Sequence, residues 1–144
     1  MKLAGTWFNE LGSQMDLKVD GVSVTGTYVS AVGKAKGPYA IVGRTEASPD
    51  GSQSVGFSVV WENKETGNLG CCTAWSGQLQ MPDGGAEQIV TTWILTGDTL
   101  AADDWNSTKI GQDTFRRDKP KPLPAGLQKA SHPVAATVQR PSKG

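Results

Sequence analysis

The chain has 144 residues, 37% of them hydrophobic, with 14 basic residues balancing 14 acidic ones. That length suits one domain with a real core, and zero net charge leaves no basic field for nucleic acid or an anionic membrane. No apolar run is long enough for a membrane-spanning helix.

Eighteen glycines and eight prolines among many Thr, Val and Trp residues indicate an all-β chain rich in turns. The first strand is expected over Gly5–Leu11, closed by Gly12-Ser13, with Trp7, Asn9 and Leu11 on one face and Ser13 continuing the parity. Met15–Val19 alternates as a second strand, and Asp20-Gly21 is a hairpin signal. The third strand, Val22–Ser30, places Val24, Gly26, Tyr28 and Ser30 together.

A loop of small residues with Lys34 and Lys36 precedes a fourth strand, Pro38–Thr45, and the turn Ser48-Pro-Asp-Gly51. Strand five, Ser54–Trp61, leads into a hydrophilic loop over Glu62–Gly70, then strand six, Cys71–Leu79. Strand seven, Glu87–Thr96, keeps Ile89, Thr91, Trp93 and Leu95 in phase. Thr99–Trp105 holds one helical turn, and Thr108–Arg116 is the eighth strand. Eight strands at even spacing with short turns predict an antiparallel up-and-down β-barrel, residues 1–118, with a β-sandwich as the main rival. Residues 119–144, rich in Pro, Ala and Lys, read as a C-terminal tail, flexible or docked on a neighbouring subunit.

The informative stretch is Gly56-Phe-Ser-Val-Val-Trp61 together with Cys72-Thr-Ala-Trp-Ser-Gly-Gln78. Trp61 and Trp75 share parity with Val59, Cys71 and Thr73, so indole walls alternate with short polar groups. A packed core would be uniformly aliphatic. Here the inward face offers Asn9, Ser13, Tyr28, Ser30, Thr73 and Asp113. Each buried polar group costs about 1–3 kcal/mol if unpaired. Any one of them alone is an ordinary satisfied strand-end residue. Six around one cavity imply either a self-satisfied network or a ligand that completes it, and their phase with Trp61, Trp75 and Trp93 favours the ligand.

Four segments carry a family likeness: Gly5-Thr-Trp-Phe-Asn-Glu-Leu-Gly-Ser13, Thr25-Gly-Thr-Tyr-Val-Ser-Ala-Val-Gly33, Thr73-Ala-Trp-Ser-Gly-Gln78, and Trp105-Asn-Ser-Thr108 through Gly111-Gln-Asp-Thr-Phe115. With this spacing the chain resembles the avidins, above all their bacterial members. The resemblance implies an eight-stranded barrel that binds biotin and catalyses nothing. It implies Asn9, Ser13 and Tyr28 as donors to the ureido oxygen, and Asp113 and Ser30 as acceptors of the ureido N–H groups. Thr73 matches the hydroxyl beside the ring sulfur. Trp61, Trp75 and Trp93 match the walls, with Leu11 and Leu95 between them. Val32, Gly33, Lys34 and Ala35 fall in the loop that closes over the ligand in relatives.

Trp105 matches the tryptophan that enters a neighbour's site, which implies a homo-oligomer, a tetramer by analogy. Cys71 stands where relatives place a serine on the biotin carboxylate, and a thiol is a poor donor, so a weaker grip there is expected, offset by Lys34 or Lys36. Gln112 replaces an interface histidine of relatives. Secretion, or a periplasmic location in a bacterium, follows from the resemblance alone, since no signal peptide precedes Gly5-Thr-Trp7.

Gly5-Thr-Trp7 by itself also fits a lipocalin-like barrel for another small ligand. An enzyme is disfavoured. The single His132 lies in the tail beside Pro133, Asp103-Asp104 suits a helix start, and no metal set or cofactor is expected. Cys71 and Cys72 are neighbours on opposite strand faces and read as two thiols.

Overall fold

The computed structural model describes residues 1–32, 37–63, 68–121 and 136–137. The strands are β1 (Gly5–Phe8), β2 (Gln14–Asp20), β3 (Ser23–Val29), β4 (Pro38–Ala47), β5 (Gln53–Asn63), β6 (Asn68–Gln80), β7 (Gln88–Thr96) and β8 (Thr108–Arg116). Each pairs antiparallel with the next, and Phe8 opposite Arg116 joins β1 to β8. The molecule is a closed eight-stranded antiparallel up-and-down barrel. Closure removes the exposed edges that an eight-stranded open sheet would present.

The first strand is shorter than its alternation predicts. Asn9 Oδ1 accepts the backbone N–H groups of Leu11 (3.1 Å) and Ser13 (2.9 Å), and Gly12 turns with φ of +86°. A side chain that captures two amides at once makes a turn of residues that would otherwise extend the ladder. Beyond Phe8 the seam is held by Glu10, whose Oε1 accepts the Thr114 N–H at 2.7 Å. The loop expected over Glu62–Gly70 is also shortened, because β5 and β6 continue pairing to Asn63 and Asn68 past an irregularity between Trp61 and Glu62. The helical turn forms as a short 3-10 element, Ala101–Asn106.

A ninth strand, β9 (Ala136–Thr137), comes from the tail and pairs with Ile110 and Lys109 of β8. It takes up part of the β8 edge that the short β1 does not reach.

Register sorts the interior into levels. Leu79, Ile89 and Phe115 lie opposite one another on β6, β7 and β8, and all are buried. With Trp7, Met15, Leu17, Val24, Ile41 and Val55 they fill one end of the barrel with apolar side chains. Three further levels rise from this floor: Gly77–Thr91–Asp113, then Trp75–Trp93–Gly111, then Thr73–Leu95–Lys109. The apolar floor gives way to polar and aromatic groups within one step. That change of composition positions the site.

Candidate functional site

Above the floor lies a cavity of about 190 Å³, lined by Asn9, Leu11, Ser13, Tyr28, Ser30, Val32, Trp61, Thr73, Trp75, Trp93, Leu95 and Asp113. All six polar residues expected inside meet here. A larger concavity of about 320 Å³ lies on the outer wall around Arg44, Glu46, Ser54, Gly56 and Ser76. It is a surface groove left by small side chains, away from the inward polar set.

The aromatic walls support one another. Trp75 stacks on Phe57 at 5.0 Å, Tyr28 sits 5.2 Å from Trp75 and 5.6 Å from Trp61, and Tyr39 buttresses Trp61 at 4.9 Å. Offset and edge-on pairs of this kind hold their rings in place. Trp93 lies across Gly111, where even a Cβ would come within 2.2 Å of its ring.

The polar groups have defined polarity, set by the bonds they already make. Asn9 has its carbonyl oxygen committed to Leu11 and Ser13, so its amide nitrogen faces Tyr28, 3.4 Å from the phenol oxygen. Ser13 Oγ accepts the Ala31 N–H at 3.0 Å, which leaves its proton to donate. Burial first, and the charge of Asp113 second, push the Tyr28 phenol well above its ordinary value of 10.0. It therefore stays protonated and remains a donor.

Ser30 has the opposite polarity. Its hydroxyl donates to Val32 O at 2.7 Å, so its remaining capacity is to accept. Asp113 is buried, with Oδ2 accepting the Trp75 indole N–H at 2.9 Å and its backbone carbonyl accepting from Thr91 Oγ1. Thr73 Oγ1 accepts the Trp61 indole N–H at 2.8 Å. Every buried side-chain polar atom among the described residues has a partner. The cavity thus offers donors from Asn9, Ser13 and Tyr28 and acceptors from Ser30 and Asp113.

Two expected residues stand apart from the lining. Cys71 is half-buried one step beyond Thr73, and Trp105 is 50% exposed on the 3-10 turn. Gly33, Lys34 and Ala35 lie outside the described residues, as does Lys36. Cys71 and Cys72 form no disulfide. Sequence reading missed Glu10, which holds the seam beside the cavity, and Thr91, which fixes Asp113. Thr91 shares parity with Trp93 and was legible as inward. Its partner was not, because that contact depends on register between strands.

The model of the Avidin family matches residues 1–118. The chain belongs to the avidin family. It is 29% identical over 126 residues to avidin-related protein 7 of Gallus gallus, an alignment covering 81% of this chain and 78% of that protein. Avidin family proteins are noncatalytic binders, and this member places a buried aromatic cluster inside its barrel. Family membership suggests biotin as the ligand.

Proposed function

We propose that the protein binds biotin, without catalysis, in the cavity between Asn9 and Asp113. The observation that carries this reading is the sorted polarity of the cavity. A cyclic urea presents one carbonyl oxygen and two N–H groups. Three donors meet the oxygen, and Ser30 and Asp113 meet the N–H groups. Donors grouped around one carbonyl favour negative charge on it, and the Asp113 carboxylate supplies the complementary pull through the ring. Trp61, Trp75 and Trp93 enclose the apolar remainder, with Leu11 and Leu95 between them. Val32 lines the cavity as well, and Cys71 stands near the carboxylate end of the ligand.

The proposal extends to assembly. The outward residues Ser54, Gly56, Ser58 and Val60 of β5 and Val90, Thr92 and Ile94 of β7 carry no charge, whereas β2 shows Asp16, Lys18 and Asp20. Val60 is 62% exposed on that wall, and Val42, opposite Ser58 on neighbouring β4, is 63% exposed. A second copy of this chain is the partner such a face fits. Trp105, outside the lining of its own cavity, would complete a neighbour's site in a homotetramer.

The test is titration of intrinsic tryptophan fluorescence and of heat with biotin, alongside a mass measurement. Saturable binding at one biotin per chain is expected, with tighter binding in the assembled state than in Trp105→Ala. No heat and no fluorescence change would overturn the biotin reading.

A further inference from the structure

The level of the barrel wall above Trp75 and Trp93 holds a residue that the family motifs pass over. Thr73, Leu95 and Lys109 lie directly opposite one another on β6, β7 and β8. Thr73 and Leu95 line the cavity. Lys109 has the parity of Gly111, Asp113 and Phe115, all buried, and is itself exposed at the rim. Residues opposite each other in adjacent strands have Cβ atoms about 5 Å apart, so the Lys109 stem begins beside Leu95. Among the inward positions of the described strands, Lys109 is the one cation.

We infer that Lys109 selects for a ligand whose tail ends in an anion. The inference rests on the biotin reading of the cavity and concerns the far end of that ligand. Asp113 and Lys109 are four residues apart on one strand, about 13 Å at the usual rise. A head group held at Asp113 and a short extended alkyl chain leaving past Trp93 bring a terminal carboxylate to this level. The Lys109 side chain can fold back over Trp93 and Leu95, keeping its stem on apolar surface and its ammonium at the opening. Gly111 lies between them on the strand, and the Trp93 indole fills the space its missing side chain leaves, giving the alkyl chain an apolar surface to run along.

The local chemistry makes this cation matter. Cys71, on the same strand as Thr73 and one step further out, offers the carboxylate only a weak donor. Asp98, whose Cβ would lie 3.2 Å from a Cβ added at Gly70, and Asp103 and Asp104 on the 3-10 turn put negative charge on the strands and connections around that opening. A carboxylate tail meets repulsion from these and attraction from Lys109.

The experiment compares biotin with biotin amide, its neutral-tailed analogue, on the full-length protein and on Lys109→Leu, Lys109→Gln and Lys109→Arg. The wild type is expected to prefer biotin, and removing the charge is expected to shrink that preference by roughly two- to fivefold, the span of a partly exposed ion pair. Lys109→Arg should retain it, and the preference in wild type should weaken as salt is raised. An unchanged preference in both Lys109→Leu and Lys109→Gln, with biotin still bound, would overturn the inference and leave the cavity reading standing. Failure of the wild type to bind either compound would overturn both.

Discussion

Trp75 on β6 donates its indole N–H to Asp113 Oδ2 on β8 at 2.9 Å, reaching across β7 inside the barrel. One wall of the cavity and its strongest acceptor are therefore a single unit. Thr91, on the strand between them, fixes the same residue from behind by donating to its carbonyl. The carboxylate is aimed before any ligand arrives, so little ordering remains for binding to do.

Replacing Asp113 separates its two roles. Asp113→Asn keeps an oxygen for Trp75 but removes the charge, and a hydrogen bond to a charged group contributes about 1.5–3 kcal/mol. Biotin affinity should fall by roughly ten- to a hundredfold, with little change in unfolding midpoint. Asp113→Ala also strands the buried indole N–H and should destabilise the barrel by about 1–3 kcal/mol. Titration and denaturant unfolding of both variants check this. Equal affinity in Asp113→Asn and wild type would mean that the carboxylate is not a ligand acceptor.

Tyr28 gives a prediction on the alkaline side. Its phenol is held above the ordinary 10.0, by burial first and then by Asp113. The folded barrel thus keeps a proton that the unfolded chain loses. The corresponding stability is complete below pH 10.0 and is lost as pH rises through the folded value. Biotin binding should accordingly stay flat from about pH 7 to about pH 10, since the donor does not ionise there. Tyr28→Phe should weaken binding throughout that range and abolish the late step in tyrosinate absorbance. A binding curve that falls through neutral pH would contradict the assignment.

Strand parity alone brought Asn9, Ser13, Tyr28, Ser30, Thr73 and Asp113 to one face, and the structure gathers them around one cavity. Thr108–Arg116 was legible to its ends because its alternation is unbroken. Gly5–Leu11 was read too long, since the alternation Trp7, Asn9, Leu11 is equally compatible with a strand and with a side-chain-capped turn. Only the Asn9 bonds to Leu11 and Ser13 distinguish them. The polarity of Ser30 and Asn9 was likewise hidden, because it follows from which backbone groups each meets. Lys109 went unremarked, although its parity was in plain view, because it lies between two family motifs.

Gly111 is the position where a minimal change should disturb the site without touching its chemistry. A Cβ there would sit 2.2 Å from Trp93 Cζ2 and 2.5 Å from Cε2. An indole wedged between strands cannot yield as the tip of a lysine could, so Gly111→Ala must turn Trp93 or spread β7 from β8. Overpacking of this kind costs about 1–3 kcal/mol. The variant should show a shifted tryptophan emission, a lowered unfolding midpoint and weaker biotin binding together. Wild-type emission and affinity would mean that Trp93 has room the structure does not show.

Arg117 closes the opposite end of the barrel, and its removal should affect stability alone. Its guanidinium lies 3.6 Å over the ring of buried Trp7, pairs with Glu87 at 2.9 Å, and donates to the carbonyls of Lys2, Ala4 and Thr6. The Trp7 indole N–H in turn donates to Leu3 O, so one arginine ties the N-terminal segment, β1 and the end of β8 together. A desolvated cation–π contact contributes up to about 2 kcal/mol, and charged hydrogen bonds add to it. Arg117→Ala should destabilise by about 2–4 kcal/mol. Arg117→Lys should recover little, because an ammonium cannot span three carbonyls and an aromatic face. Burial alone would raise the Glu87 carboxyl, but the Lys2 backbone N–H and Arg117 outweigh it and hold it below 4.5. That contribution is present above 4.5 and is lost as pH falls through the depressed value, so the acid limb of the stability curve should flatten in Arg117→Ala. The buried Phe115 level separates Arg117 from the cavity, and biotin affinity measured below the unfolding transition should match wild type. A large loss of affinity with little loss of stability would mean that this end of the barrel governs the other.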